Sequence, residues 1–237
     1  TNLVNTKLGL PSRATSGVVQ VAAGYAHILA LKQDGSIVVW GDDAFLKGVI
    51  SSAPPSSDTN YIAVASGDDH CLALKKDGTV VAWGRSVDSD NVTSTGQLDF
   101  TGVSNVVSLA AGVYHSLALK ADGTVVGRGR ATYGAADVPL NLSNVVAIAA
   151  GRDHSLVLQS DKTVIAWGRN DQGQRDVPDG TYSGNNFLPS VSAKPATQIA
   201  AGRYYSMALC DNGKSLEWGN WEVNSDNYQG RESQKTS

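Results

Sequence analysis

Apolar and polar positions alternate along this chain in short bursts, and the bursts come in threes. A run such as Val106-Val107-Ser108-Leu109-Ala110-Ala111 ends at Gly112. An alternating run, His115-Ser116-Leu117-Ala118-Leu119-Lys120, ends on a solvated Lys, and a β-branched run, Thr124-Val125-Val126, leads to Gly129. Period-two alternation and β-branched residues suit a pleated surface, so each run predicts a strand. The triplet is written five times, anchored on Gly24, Gly67, Gly112, Gly151 and Gly202 and closed on Gly41, Gly84, Gly129, Gly168 and Gly219.

The second and third runs of each copy are joined by Asp34-Gly35, Asp77-Gly78, Asp122-Gly123, Asp161-Lys162 and Asn212-Gly213. Asx-Gly between alternating runs predicts a hairpin with a type I′ turn, which needs positive φ at both central residues. In the fourth copy a Lys at positive φ costs about 1 kcal/mol, or that turn is of another type. Three antiparallel strands per copy, with a fourth available from the connectors, predict an all-β chain. Anchors recurring every 39 to 51 residues fit blades stacked around an axis, because one such sheet cannot bury its faces alone. The fold class is therefore a β-propeller of five visible repeats, either a five-bladed ring or part of a larger one. Residues 1–17 form an N-terminal extension able to donate a closing strand, 18–221 the propeller, and 222–237 a polar tail. Trp40, Trp83, Trp167 and Trp218 occupy one repeat position and are expected to pack between blades. Arg128 stands there in the third copy, which reads as a degenerate blade.

At 237 residues, 41% hydrophobic and 17% charged, the chain can bury a full core. A net charge of −3 gives no basic stripe for nucleic acid. No apolar run reaches the roughly 20 residues of a membrane span, and Thr1–Arg13 has no signal-peptide stretch. Cys71 and Cys210 fall at different repeat positions, which predicts two buried single thiols rather than a disulfide framework or a metal motif.

Ala-Gly-x-x-His-Ser-Leu-Ala-Leu followed by Asp-Gly-x-Val-x-x-Trp-Gly resembles the repeats of the regulator of chromosome condensation family, from about Val18 to Gly219. The bacterial members are the nearer match, among them a propeller-type β-lactamase inhibitory protein. Its Trp-Gly-(polar)-Gly-Gln-x-x-Val-Pro connector is similar to Arg169–Gln174 running through Val177-Pro178, and Gly134 through Val138-Pro139 is a worn version. The resemblance implies a propeller, usually of seven blades, that contacts its partner through loops on one face.

All four histidines, His27, His70, His115 and His154, fall on one repeat position, which carries Tyr205 in the fifth copy. Structural hydrogen bonding is the expectation, since blades hold equivalent residues apart and Tyr is a poor zinc ligand. Ser116, Ser155 and Ser206 follow that position. Neighbours on a strand face opposite ways, so no nucleophile–base pair forms within a repeat. No nucleophile elbow or phosphate loop is present. No enzyme, cofactor or metal is expected.

The variable positions follow the anchoring Gly and the Trp-Gly. Because one loop precedes the second strand and the other follows the third, both should share one face. That face would carry Tyr25, Phe45, Asp68, Asp69, Tyr114, Tyr133, Arg152, Asp153, Arg169, Asp171, Arg203, Tyr204 and Trp221. Rigid aromatics mixed with Arg and acids compose a protein-recognition surface. The expectation is a non-enzymatic propeller binding another protein there, in an extracellular or surface-associated setting, without nucleic acid, membrane insertion or small-molecule ligands. Two alternatives are a structural or assembly component whose loops pack on neighbouring subunits, self-association included, and a lectin-like propeller. Sugar sites repeated in every blade would need the same residues in every blade, and these loops differ.

Overall fold

The computed structural model describes residues 11–42, 49–86, 95–130, 132–178, 190–191 and 195–220. Blade 1 is β1 (Val18–Ala23), β2 (His27–Lys32) and β3 (Ile37–Gly41); blade 2 is β4 (Tyr61–Ser66), β5 (His70–Lys75) and β6 (Val80–Gly84). Blade 3 is β7 (Val106–Ala111), β8 (His115–Lys120) and β9 (Val125–Gly129). Blade 4 is β10 (Val145–Ala150), β11 (His154–Gln159) and β12 (Val164–Gly168), with β13 (Ser190–Val191) added from a connector as a fourth strand. Blade 5 is β14 (Ala196–Ala201), β15 (Tyr205–Cys210) and β16 (Ser215–Gly219). All pairings are antiparallel, and the first strand of every blade carries the same bulge after its first residue. A short 3-10 turn, Ser12–Ala14, precedes β1.

The hairpins correct the type I′ expectation. Gly35, Gly78, Gly123 and Gly213 have φ of 84°, 79°, 79° and 78°, while the Asx before each is not left-handed. Gly35 N–H bonds the Lys32 carbonyl, and Lys32 N–H bonds the Ser36 carbonyl. This is a three-residue loop, a type I turn followed by one left-handed residue. Asp34 Oδ1 accepts from Ser36 N–H at 2.9 Å and from Ser36 Oγ at 2.6 Å, closing an Asx turn. In the fourth copy Lys162 adopts φ 71°, so the same turn is kept there at the cost of a strained Lys.

The core lies between blades. The alternating middle strands are buried on both faces: Leu72 and Leu74 pack with Val106 and Ala118 toward blade 3, while Cys71 and Ala73 pack with Leu29 and Leu31 toward blade 1. Equivalent clusters join blades 3 and 4, and blades 4 and 5. Trp83, Trp167 and Trp218 are buried in these junctions, as their repeat position predicted. The Trp167 indole N–H donates to the Ala135 carbonyl at 2.9 Å, and that of Trp218 to Gln174 at 3.0 Å. Arg128 is not idle in blade 3: its Nε donates to the Asp99 carbonyl at 2.7 Å, the same kind of bond to the preceding connector. Both cysteines are buried and free.

Four junctions thus link five blades in order. Residues 1–10 and 222–237 lie outside the described residues.

Candidate functional site

Each junction is locked by one imidazole. His70 Nε2 lies 2.8 Å from Ser116 Oγ, His115 Nε2 3.0 Å from Ser155 Oγ, and His154 Nε2 2.9 Å from Ser206 Oγ, always in the next blade. Each hydroxyl also donates to a connector carbonyl, of Gln97, Ala135 or Gln174. With its one proton committed there, the hydroxyl accepts from the ring, which fixes the Nε2–H tautomer. His27 reaches Ser66 Oγ at 2.7 Å and Cys71 Sγ at 3.1 Å instead. The anchoring glycines make room for the rings: a Cβ on Gly112 would sit 2.3 Å from His115 Cε1 and 2.4 Å from the Gly151 carbonyl. Burial pushes these imidazoles far below their usual value, to about 3 for His70 and His154 and about 4 for His115. The histidines and serines are therefore junction parts. Among the described residues no three His, Cys, Asp or Glu side chains gather as a metal would require.

The two variable loops do share one end of each blade. Backbone bonds tie them: Asp42 N–H to Ala26, Arg85 to Asp69, Arg130 to Tyr114, Arg169 to Asp153 and Asn220 to Tyr204. The inner-strand ends Ala23, Ser66, Ala111, Ala150 and Ala201 open into one central cavity of about 310 Å³. Tyr25, Asp68, Arg152 and Arg203 stand at its rim.

Most of the predicted residues meet here in one network joined at Asp153. Arg152 donates to the Tyr204 hydroxyl at 2.7 Å and lies 3.2 Å from Asp153, while Arg203 stacks over the same Tyr204 ring. Arg169 spans Asp153 and Asp171 and lies 4.6 Å over the Tyr133 ring. The Asp171 carboxylate raises the Arg169 pKa further. Asp69 pairs with Arg85 at 3.3 Å. Asp68 is held above the usual carboxylate range by burial first and Asp69 second, against the pull of Arg203 and Arg152. Asp153 is buried and acts as the hub, while Tyr25 and Tyr133 stay exposed at 64% and 43%. Phe45 and Trp221 lie outside the described residues.

Two features were missed. Arg130 stacks over Tyr114 at 5.3 Å, and it occupies the same repeat position as Arg85 and Arg169, a recurrence that aligning the copies exposes. The buried connector residues Gln97, Ala135 and Gln174 seat the three serines through their carbonyls, and the last two also seat the Trp167 and Trp218 indoles; only the Gly-Gln of the second connector, Gly96-Gln97, signalled a third version of that segment.

The model of the regulator of chromosome condensation (RCC1) repeat matches residues 18–45, 61–89, 106–135 and 145–174, the first four blades. No curated protein matches by sequence. Among solved structures, yeast RCC1 (Prp20), crystallised with Kap60, superposes with a TM-score of 0.72 at 22% identity, over 90% of this chain and 58% of that one. Human WBSCR16 gives 0.65 at 22% identity, over 85% and 61%. The ectodomain of the Physcomitrella patens receptor kinase CR4 gives 0.62 at 19%, over 85% and 50%. The chain thus spans less than two thirds of the length of these neighbours, and at such identity the likeness is one of fold. With its blades locked His to Ser and four of them matched by the repeat model, this chain belongs to the regulator of chromosome condensation repeat family of β-propellers.

Proposed function

We propose that this protein is a non-enzymatic binding module whose loop face grips another protein. The carrying observation is the loop end of the blades, where Tyr25, Asp68, Arg152 and Arg203 stand around one opening and Tyr133 is exposed on the loop after blade 3. Tyr133 and Arg203 are themselves stacked, on Arg169 and Tyr204, and the Asp153 pairs tie the same loops together. A pre-ordered surface of aromatics and Arg loses little entropy on binding, which is what recognition hot spots require. Support by analogy comes from yeast Prp20, which binds Kap60 in its crystal. The imidazoles and hydroxyls, being committed to the junctions, are not free for chemistry.

The test is affinity capture from the native source on the immobilised chain and on a Tyr25→Ala/Tyr133→Ala/Arg203→Ala variant of matched thermal stability. These three side chains are outside the junctions, so the fold should stand. The reading predicts a protein retained by the original chain and lost from the variant. Retention of the same proteins by both would sink it.

A further inference from the structure

The loops differ from blade to blade, which speaks against one sugar site per blade, but the same differences meet on the axis and make a single site. The residue after each anchoring glycine is Tyr25, Asp68, Val113, Arg152 or Arg203, and all five line the central cavity. Each blade thus supplies one side chain to a collar. The collar is tied through its backbone: Tyr25 N–H donates to the Asp68 carbonyl and Val113 N–H to the Arg152 carbonyl, both at 3.2 Å. The cavity of about 310 Å³ falls within the roughly 300–1,000 Å³ of small-ligand sites.

Two charges of this collar are unspent. Around them the loop-end charges are paired: Arg152 and Arg169 with Asp153, Arg169 also with Asp171, and Arg85 with Asp69. Arg203 stacks on the Tyr204 ring, and among the described residues its guanidinium meets no hydrogen-bond acceptor and no carboxylate. The half-buried Asp68 carboxylate likewise meets no donor and no ion-pair partner among them. Asp68 feels the pull of Arg203 across the opening, yet burial first and Asp69 second still hold its carboxyl up. A carboxylate so placed lacks a cation, and the planar fork of a free Arg suits a carboxylate through two parallel bonds. The two residues therefore ask for opposite charges on one ligand.

The walls define the rest of that ligand. They are the inner-strand ends Ala23, Ala111, Ala150 and Ala201, together with Val113 and the anchoring glycines. The N–H groups of Gly67, Gly112, Gly151 and Gly202 are committed to backbone carbonyls. The hydroxyl of Ser66, also in the wall, is committed to His27 and the Gly67 carbonyl. Such walls take an aliphatic group by apolar burial and offer it no polar partner.

We propose that the central cavity binds a small amino acid as its zwitterion, with Arg203 taking the carboxylate, Asp68 the ammonium, and the aliphatic side chain entering the alanine-lined space. The site is the opening at the centre of the loop face rather than its outer surface, and it is tested without any partner protein.

The experiment is isothermal titration calorimetry on the full chain with glycine, L-alanine, L-valine and L-leucine. Two half-ligands follow: 4-methylpentanoate, which is leucine without its ammonium, and 3-methylbutylamine, which is leucine without its carboxylate. One site per chain is expected for the amino acids, with each half-ligand weaker than L-leucine by at least about tenfold, as loss of a charged hydrogen bond implies. Asp68→Asn should abolish the preference for L-leucine over 4-methylpentanoate, and Arg203→Gln the preference over 3-methylbutylamine. A misfolded variant would lose both preferences together, and the half-ligands on the original chain decide the matter without any variant. No heat from any of the four amino acids at millimolar concentration would overturn the inference. So would half-ligands that bind as tightly as L-leucine, or original affinity in both variants.

Discussion

A buried imidazole that donates through Nε2 has nowhere to put a second proton. Nδ1 of His70 and of His154 has no hydrogen-bond partner and faces the Cα of its anchoring glycine, so the folded state refuses the proton that the unfolded chain takes near pH 6.5. Folded values of about 3, 4 and 3 for His70, His115 and His154 lie below the unfolded one. Their stabilisation is therefore complete above pH 6.5 and is lost as pH falls toward the folded values. The slope should approach 1.4 kcal/mol per pH unit per histidine, about 4 kcal/mol per unit for the three together. Urea midpoints compared at pH 7.5 and 5.5 should differ sharply; equal midpoints would contradict the locks. The same geometry makes Gly112→Ala costly, by about 1–3 kcal/mol of overpacking against His115, although Ala suits a strand end better by propensity. Chemical denaturation of that variant measures the cost.

At the scale of the element, the five hairpins share one turn but not one residue. Lys162 holds the left-handed position that glycine holds elsewhere, and its Nζ lies 3.0 Å from Asp211 with both side chains substantially exposed. An exposed pair of this kind contributes about 0–1 kcal/mol, less than or comparable to the left-handed strain of about 1 kcal/mol. Lys162→Gly should leave the protein as stable or raise stability by up to about 1 kcal/mol, read as a shift in thermal midpoint. A clear loss of stability would show that the turn is not strained. The hairpins were legible because Asx-Gly punctuates alternating runs. Their turn type was not, since a type I′ pair and a type I turn with a left-handed third residue use the same two letters. The Arg128 role was hidden for a related reason: Nε–H stands in for an indole N–H in one bond while sharing none of its shape.

For the whole molecule, the repeat period alone was enough to read blades, because five copies of one triplet have few other ways to bury both faces of their middle strands. The shared loop face followed from strand order. What the alternation could not reveal was which polar side chains are structural. Asp153 and Tyr204 read as surface residues, yet the first is buried between two guanidinium groups and the second is held by Arg152. Repeat position explains the difference: residues that answer a neighbouring blade are recognised only once the blade order is known. Asp153→Ala should accordingly act on stability rather than on contact alone, by about 1–3 kcal/mol, because it leaves Arg152 and Arg169 without their shared carboxylate.

The central claim is that the loop end of the propeller, and not the hairpin end, meets another protein. A photo-reactive residue placed at Tyr133 on the loop face, and in a separate preparation at Asp122 on the hairpin face, tests this directly in extract of the native source. The account predicts a discrete cross-linked product from position 133, of a mass that is not a multiple of 24.7 kDa, and none from position 122. Equal labelling from both positions, or a product from the hairpin face alone, would contradict it.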